Sequence, residues 1–176
     1  MRDPHRGEAH PHVVHEDDIP WQESAHGERY QSRRRQLGHA AGAWQIGTSL
    51  MELPPGKQAW PRHYHLANEE ALYILEGEGI LRIGEEEVPV RPGSFAALPV
   101  GEGCAHALQN TGSSPLRYLV FSTMRVPDIL VYPDTGKVGL MAGSAPGGDA
   151  SARTLHTFLR ADATVSYWEG EDESAR

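Results

Sequence analysis

One segment of the chain combines two histidines, a carboxylate and a glycine at spacings that suit a metal site on β-strands. It runs from Gly56 to Gly77 and contains His63, His65 and Glu70. Because successive side chains on a strand point to opposite faces, His63 and His65 are expected to face the same side. A polar stretch then allows a turn, and Glu70 is predicted to open a second strand beside the first. Imidazole and carboxylate ligands suit Fe(II), Mn, Ni, Zn or Cu better than Ca or Mg.

A second His-x-His sequence shows that this spacing alone is weak evidence. His10 and His12 are followed by Glu16 and Asp17 at comparable distances, but they stand in a polar segment without a β pattern or a downstream glycine. Such a segment is typical of a solvated tail. The metal-site prediction therefore depends on the strand context of residues 56–77 and on a third histidine later in the chain.

The composition is that of one globular domain with an acidic balance. The chain has 176 residues and a formal net charge of −8, from 16 Lys and Arg against 24 Asp and Glu. A chain of this length suits one domain with a sizeable core. The acidic balance argues against nucleic acid as a partner, since phosphate binding needs clustered Lys and Arg. The basic cluster at 33–35 is predicted to be split across two faces of a strand, and one of its arginines reaching an anionic substrate is the alternative.

Two features predict a cytoplasmic location and no contact with a membrane. Cys104 is the only cysteine, so an intrachain disulfide is impossible and a reducing compartment fits. The first residues lack the apolar core of a secretory signal, and no apolar run approaches the length of a membrane span.

The elements that must position the candidate ligands are predicted to be short strands separated by turns. No long amphipathic helix is evident before residue 150, and glycine- and proline-rich turns interrupt the apolar runs. This pattern predicts an all-β, antiparallel sandwich or barrel. The predicted strands are 44–53, 58–65, 70–76, 80–83, 87–91, 94–100, 105–109 and 116–123.

We divide the chain into a polar N-terminal arm at 1–28, a main domain at 29–142, and a linker with a C-terminal extension at 143–176. The arm is expected to be ordered only where Ile19 and Trp21 dock. Small residues at the start of the last segment predict a flexible linker. The extension contains apolar side chains that are predicted to pack against the body: Leu155, Phe158, Tyr167 and Trp168.

Two motifs, which occur in order, resemble those of the cupin superfamily, whose fold is a double-sheet jelly-roll barrel. The first motif, at 56–77, is matched with one extra residue between Gly56 and His63. Glu69 also has an allowed spacing, but only Glu70 has six residues between itself and Gly77. The resemblance covers about residues 44–125.

The second motif, at 93–110, supplies the third histidine. Four residues separate Gly101 from His106 where the family pattern has two, and Cys104 occupies the usual ligand position. His106 after a two-residue insertion and Cys104 as a thiolate are therefore alternatives. The spacing to Asn110 favours His106, because a two-residue insertion preserves the face to which a side chain points. The matching residues are Gly93, Pro99, Gly101, His106 and Asn110.

The resemblance implies one divalent transition metal ion per chain, Fe, Mn, Ni or Zn, held by His63, His65, Glu70 and His106. Coordination positions that the protein leaves open to water or substrate are typical of a catalytic metal site, whereas a structural metal site has none. The expected function is a metal-dependent enzyme, of dioxygenase, lyase or sugar-isomerase type, acting on a small polar metabolite. The alternative is a non-catalytic cupin that binds or senses a small molecule or carbohydrate. A homodimer is also implied, and parts of the chain resemble bacterial cupins often labelled sugar-phosphate-isomerase-like.

Several further residues carry expectations. Tyr73 alternates with Glu70 and is predicted to point to the opposite face. Trp44 and Trp60 are predicted to be core or interface aromatics. The sequence does not choose a catalytic residue; the candidates for a general base are Tyr64, Glu69 and Lys137. The candidates for fixing the imidazoles are Tyr64, Asn68 and Gln109.

Overall fold

A computed structural model describes residues 10–171; the outer ends of the predicted arm and extension, 1–9 and 172–176, lie outside the described residues. The strands are β1 (Gln22–His26), β2 (Tyr30–Arg35), β3 (Gly47–Leu53), β4 (Tyr64–His65), β5 (Glu70–Glu76), β6 (Gly79–Ile83), β7 (Glu86–Val90), β8 (Phe95–Leu98), β9 (His106–Asn110), β10 (Leu116–Ser122), β11 (Asp128–Tyr132), β12 (Lys137–Ala142) and β13 (Leu155–Arg160). Between residues 10 and 171 the helical elements are α1 (Leu37–Ala40) and three 3-10 turns, Glu16–Asp18, Glu102–Cys104 and Ala150–Ala152. None of the helices within residues 10–171 has the length and apolar character needed to cross a bilayer.

The strands form antiparallel sheets, which confirms the predicted all-β jelly-roll class. One sheet has the order β1-β2-β3-β10-β5-β8, a second the order β13-β12-β11-β4, and a third the order β7-β6-β9. A single antiparallel bridge between His63 and His106 links the segment leading into β4 with the start of β9. The second and third sheets are therefore joined edge to edge at the two histidines.

The core lies where alternating side chains from different sheets meet. On β5, Leu72 and Ile74 are buried, whereas Tyr73 points to the other face, as predicted, and remains 39% exposed. This two-residue period is the one expected of a strand with one buried face. The cluster also includes Met51, Leu53, Leu81, Val90, Leu98, Leu108, Leu116 and Tyr118.

Two residues of the sequence motifs hold turns. Gly77 has φ +81°, and a Cβ atom there would lie 2.6 Å from the carbonyl oxygen of Pro115. Asn110 is fully buried, and its Nδ2 donates to the carbonyls of Leu53 and Ser114 at 2.8 Å each. Both residues therefore stabilise the fold near β10.

The prediction of a strandless N-terminal arm is wrong for residues 22–26. All five residues of β1 pair with β2, from Gln22 with Arg34 to His26 with Tyr30. A polar segment can form an edge strand because the backbone supplies the hydrogen bonds. Trp21 docks as predicted, beneath the outward-facing guanidinium groups at 33 and 35, at 4.5 and 4.4 Å.

The C-terminal third contains three strands, β11, β12 and β13, that the sequence prediction did not include. The edge strand β13 pairs with β12 over all six residues. Because these backbone hydrogen bonds hold the segment, it needs little apolar burial. The predicted packing of Tyr167 and Trp168 against the body is wrong, since they are 86% and 70% exposed. Leu155 and Phe158 remain 45% and 49% exposed.

The predicted pairing of the histidine strand with the glutamate strand is also wrong. The strand predicted at 58–65 is reduced to Tyr64–His65, which pairs with β11, whereas β5 pairs with β10 and β8. Pro61 cannot donate to a strand ladder, which agrees with the shortened strand. The link at 66–69 therefore carries the chain from one sheet to another.

Candidate metal centre

The bridge between His63 and His106 places two of the predicted ligands side by side. The N–H of His63 donates to the carbonyl of His106 at 3.1 Å, and the N–H of His106 donates to that of His63 at 2.8 Å. Residues that exchange both backbone hydrogen bonds lie directly opposite each other. Their rings are consequently 4.8 Å apart, and the ring of His65 lies 5.1 Å from that of His63.

Glu70 approaches the imidazoles from β5. Ligand atoms of His63, Glu70 and His106 all lie within 4.8 Å of one another. Glu70 Oε2 is 3.3 Å from His106 Nε2 and 3.4 Å from His65 Nε2. The structure thus brings together all four residues expected from the sequence, although from different sheets.

The Nδ1 atoms of the three imidazoles have hydrogen-bond partners behind the site. His63 Nδ1 donates to the Pro61 carbonyl at 2.9 Å and His106 Nδ1 to the Cys104 carbonyl at 3.0 Å. His65 Nδ1 contacts Asp128 Oδ2 at 2.6 Å. A carbonyl oxygen can only accept, so Nδ1 of His63 and His106 carries the hydrogen and Nε2 is free to bind a cation.

The donor set fits a cation. In the neutral form, Nε2 of His106 directs a lone pair towards the Glu70 carboxylate at 3.3 Å. Two facing lone pairs repel unless a proton or a metal ion lies between them. Nitrogen and oxygen ligands of this kind suit Fe(II), Mn, Ni or Zn.

The charges of the cluster respond to burial and to one another. Burial, together with the neighbouring His106, lowers the pKa of His63 to about 4. Burial opposes charge on His65 as well, but its contacts with Asp128 and Glu70 outweigh this and raise its pKa to about 9. Burial would raise the pKa of Glu70, yet the hydrogen bonds that His106 and His65 donate to it in their protonated forms hold this pKa well below its usual range. The site therefore keeps an ionised carboxylate beside three imidazoles.

The cluster lines a cavity of about 360 Å³. Tyr118, 3% exposed, is part of the wall, and burial and the charge of Glu70 both raise the pKa of its phenol. Trp60 also lines the cavity and is 40% exposed, and Trp44 is 78% exposed, so neither lies in the core. For both residues the alternative of an interface aromatic stays a prediction.

Several residues considered from the sequence lie outside the cavity wall. Cys104 belongs to a 3-10 turn and contributes its carbonyl to His106, and Glu69 is exposed. Asn68 does not contact the imidazoles; its side chain hydrogen-bonds the backbone of Arg125 and so fixes the turn before β5. The other residues without a place in the wall are Tyr64, Gln109 and Lys137.

Sequence analysis missed Asp128, the fully enclosed carboxylate that contacts His65. Its Oδ1 also accepts from the N–H groups of Ala67 and Ile129, at 3.1 and 2.9 Å. The sequence did carry one signal for it, an aspartate directly before the apolar run Ile129-Leu-Val. An aspartate beside a buried strand is seldom buried without a partner, so this position indicates a side chain that binds another group.

Comparison with known proteins agrees with this architecture. Residues 49–122 match the family model described as the cupin domain. A crystal structure from Silicibacter pomeroyi, described as a sugar phosphate isomerase from a cupin superfamily, superposes with a TM-score of 0.72 at 28% identity, covering 86% of this chain and 94% of that one. The fold, the ligand cluster and the domain match together show that residues 49–122 form a cupin domain.

Two curated relatives match parts of the chain. The oxalate-binding protein of Thermotoga maritima is 36% identical over 69 residues, which cover 39% of this chain and 54% of that relative. The tetracenomycin polyketide synthase protein TcmJ of Streptomyces glaucescens is 33% identical over 88 residues, covering 50% and 54%. The chain thus spans about half the length of these relatives.

Proposed function

We propose that the chain binds one divalent transition metal ion through His63, His65, Glu70 and His106 and acts as an enzyme on a small polar metabolite. The observation that carries this proposal is the convergence of ligand atoms from His63, Glu70 and His106 within 4.8 Å, on the wall of a cavity large enough for a small molecule. His65 joins them through its contact with the same carboxylate.

The metal, when bound, supplies Lewis-acid activation and orientation of a polarised oxygen. The chain's own residues position the imidazoles and bury them, with His65 3% and His106 8% exposed. Tyr118 and Tyr132 of the wall both hold a phenol proton, and burial raises the pKa of each above its ordinary value. Such a site supports dioxygenase, lyase or sugar-isomerase chemistry, and the likeness to the Silicibacter pomeroyi protein supports the isomerase type.

Metal analysis by mass spectrometry tests the site. Untagged protein purified anaerobically is compared with the His63→Ala/His65→Ala variant. The matched control is His10→Ala/His12→Ala, which removes the exposed His-x-His pair. We expect near-stoichiometric Fe, Mn, Ni or Zn in wild type and control, and its loss in the cavity variant. A wild type that holds no metal and takes up none would overturn the proposal.

A non-catalytic binding role is the second candidate, favoured by the similarity to the oxalate-binding protein. Turnover separates the two: loss of substrate with the metal-loaded protein, absent from the cavity variant, supports an enzyme. Saturable binding without chemical change supports the binding role. The homodimer and the cytoplasmic location stay predictions from the sequence.

A further inference from the structure

The cavity that contains the ligand cluster has a second group of polar side chains, Arg34, Arg153 and His156. Arg34 belongs to β2, whereas Arg153 precedes β13 and His156 lies on it. Glu70 is the only carboxylate lining the cavity among the described residues, and histidines already contact it. The two guanidinium groups therefore add positive charge to the cavity wall, and Glu70, which contacts the histidines, does not neutralise it.

Strand alternation turns Arg34 inward. Its cross-strand partner Met51 belongs to the core cluster, and Arg34 itself lines the cavity, so this position faces the core side of the sheet. Arg33 and Arg35 point outward and have carboxylate partners. Among the described side chains, Arg34 instead donates to the neutral amide of Gln22 at 3.1 Å. The basic triplet is thus split as predicted, and within residues 10–171 its inward member is the one without a neutralising acid.

Arg153 is also poorly satisfied. Its head group contacts the Ala145 carbonyl at 3.4 Å and His156 Nδ1 at 3.5 Å, both long for hydrogen bonds. Its Nε atom is buried without a hydrogen-bond partner, and a buried donor left unpaired is destabilising. Burial and the charge of Arg153 both lower the pKa of Arg34, so the two cations lie close enough to repel each other.

The arginines and the metal cluster approach the cavity from different parts of the sheets. β13 is three strands away from β4 in one sheet, and β2 is three strands away from β5 in the other. At a strand spacing of about 4.8 Å, this is roughly 14 Å along each sheet. Gln36, just after β2, donates to the carbonyl of Gly147, ahead of β13, which joins the two walls at the arginine end.

We propose that Arg34 and Arg153, beside His156, form a subsite for an oxyanion, a carboxylate or a phosphate ester, remote from the metal ligands. Guanidinium groups match the geometry of both anions through paired N–H donors. The inference builds on the proposed function and names its substrate class: a small metabolite with a metal-binding oxygen at one end and an oxyanion at the other. A bound anion would lie between the two guanidinium groups and would accept a hydrogen bond from the Nε–H of Arg153.

Arginine Nε–H resonances in ¹⁵N NMR spectra test the subsite directly. The full chain, as purified and after loading with Zn(II), is titrated with inorganic phosphate in one series and acetate in another. Zn(II) is chosen because it has no redox chemistry. The variants are Arg34→Gln and Arg153→Gln, and the matched control is Arg33→Gln, which removes a neighbouring arginine on the outer face.

We expect saturable shifts of the Arg34 and Arg153 resonances at millimolar phosphate or acetate, with no matching shift of Arg33. Either substitution at 34 or 153 should weaken anion binding about tenfold or more, and Arg33→Gln should leave it within about twofold. The series with the tighter binding identifies a phosphate or a carboxylate substrate. Equal, unsaturable responses of all three arginines would overturn the subsite.

The same samples keep the two proposals apart. Zn(II) uptake is followed at the imidazole resonances of His63, His65 and His106. Failure of Zn(II) and other metals to bind would overturn the metalloenzyme proposal, while anion shifts in the metal-free chain would still support the subsite. Tight Zn(II) binding without a selective anion response would overturn the subsite alone.

Discussion

His63 and His106 are partners in one antiparallel bridge, in which each backbone N–H donates to the carbonyl of the other, at 3.1 and 2.8 Å. The register of that bridge places the imidazole of His63 beside the imidazole of His106. A shift by one residue would turn one imidazole to the opposite face of the sheet. The proposed metal site and the seam between two sheets are therefore the same structural feature.

Asp128→Asn should weaken metal binding by about 10- to 100-fold, the usual effect of losing a group that orients a metal-binding histidine. Asn can keep the Oδ1 hydrogen bonds from Ala67 and Ile129, so the fold should be retained. Its amide cannot replace the carboxylate beside His65 Nδ1. Competitive titration with a chelator measures the affinity.

The matched control for that variant is Asp162→Asn, which removes an exposed carboxylate paired with Arg160. It should leave metal affinity unchanged. Equal affinities for Asp128→Asn and wild type would show that Asp128 does not orient a metal ligand.

Gly77→Ala should destabilise the protein more than Gly93→Ala. Both glycines have positive φ, +81° and +90°, but a Cβ at 77 would meet the Pro115 carbonyl at 2.6 Å, whereas nothing lies within 4 Å at 93. The conformational penalty of about 1 kcal/mol is common to both. Urea unfolding should show about 1–3 kcal/mol of additional loss at 77, the range of overpacking. Equal losses would contradict the steric explanation.

Asn110→Ala should lower the free energy of unfolding by about 3 kcal/mol, because it leaves one buried and two part-buried backbone groups without partners. These are the carbonyls of Leu53 and Ser114 and the N–H of Gly112. Metal content of the folded fraction should be unchanged. A stable variant that loses its metal would instead place Asn110 in the site.

The metal-free protein should be most stable near pH 6.5. The pKa of His65 is raised to about 9 by Asp128 and Glu70 against the effect of burial, so its contribution is complete below pH 6.5 and is lost as the pH rises towards 9. The pKa of His63 is lowered to about 4, mainly by burial, so its contribution is lost as the pH falls from 6.5 towards 4.

Urea unfolding of chelator-treated protein, measured between about pH 4 and pH 9, gives the free energy of unfolding on the acid side and on the alkaline side of the maximum. We call these two parts of the curve the acid limb and the alkaline limb. Asp128→Asn should flatten the alkaline limb and leave the acid limb in place. An alkaline limb that is unchanged in this variant would show that His65 is not responsible for it.

The sequence predicted which side chains come together better than it predicted the strand pairing that brings them together. The choice of His106 over Cys104 agrees with the geometry, because alternation and insertion parity are local properties of a strand. The pairing of β4 with β11 could not be predicted, since it depends on contacts distant in sequence. The role of Asp128 could not be predicted for the same reason. The strand β1 was not predicted because its residues are polar and exposed and show no apolar alternation.

All four proposed ligands lie inside the segment that matches the cupin domain, residues 49–122. Arg34, Arg153 and His156 lie outside it, on either side, and meet at the other end of the cavity. The proposed metal site and the proposed anion subsite therefore belong to different parts of the chain, one inside the matched segment and one outside it. Similarity confined to residues 49–122 bears on the proposed metal site alone, and only relatives that also align across both flanks bear on the proposed anion subsite.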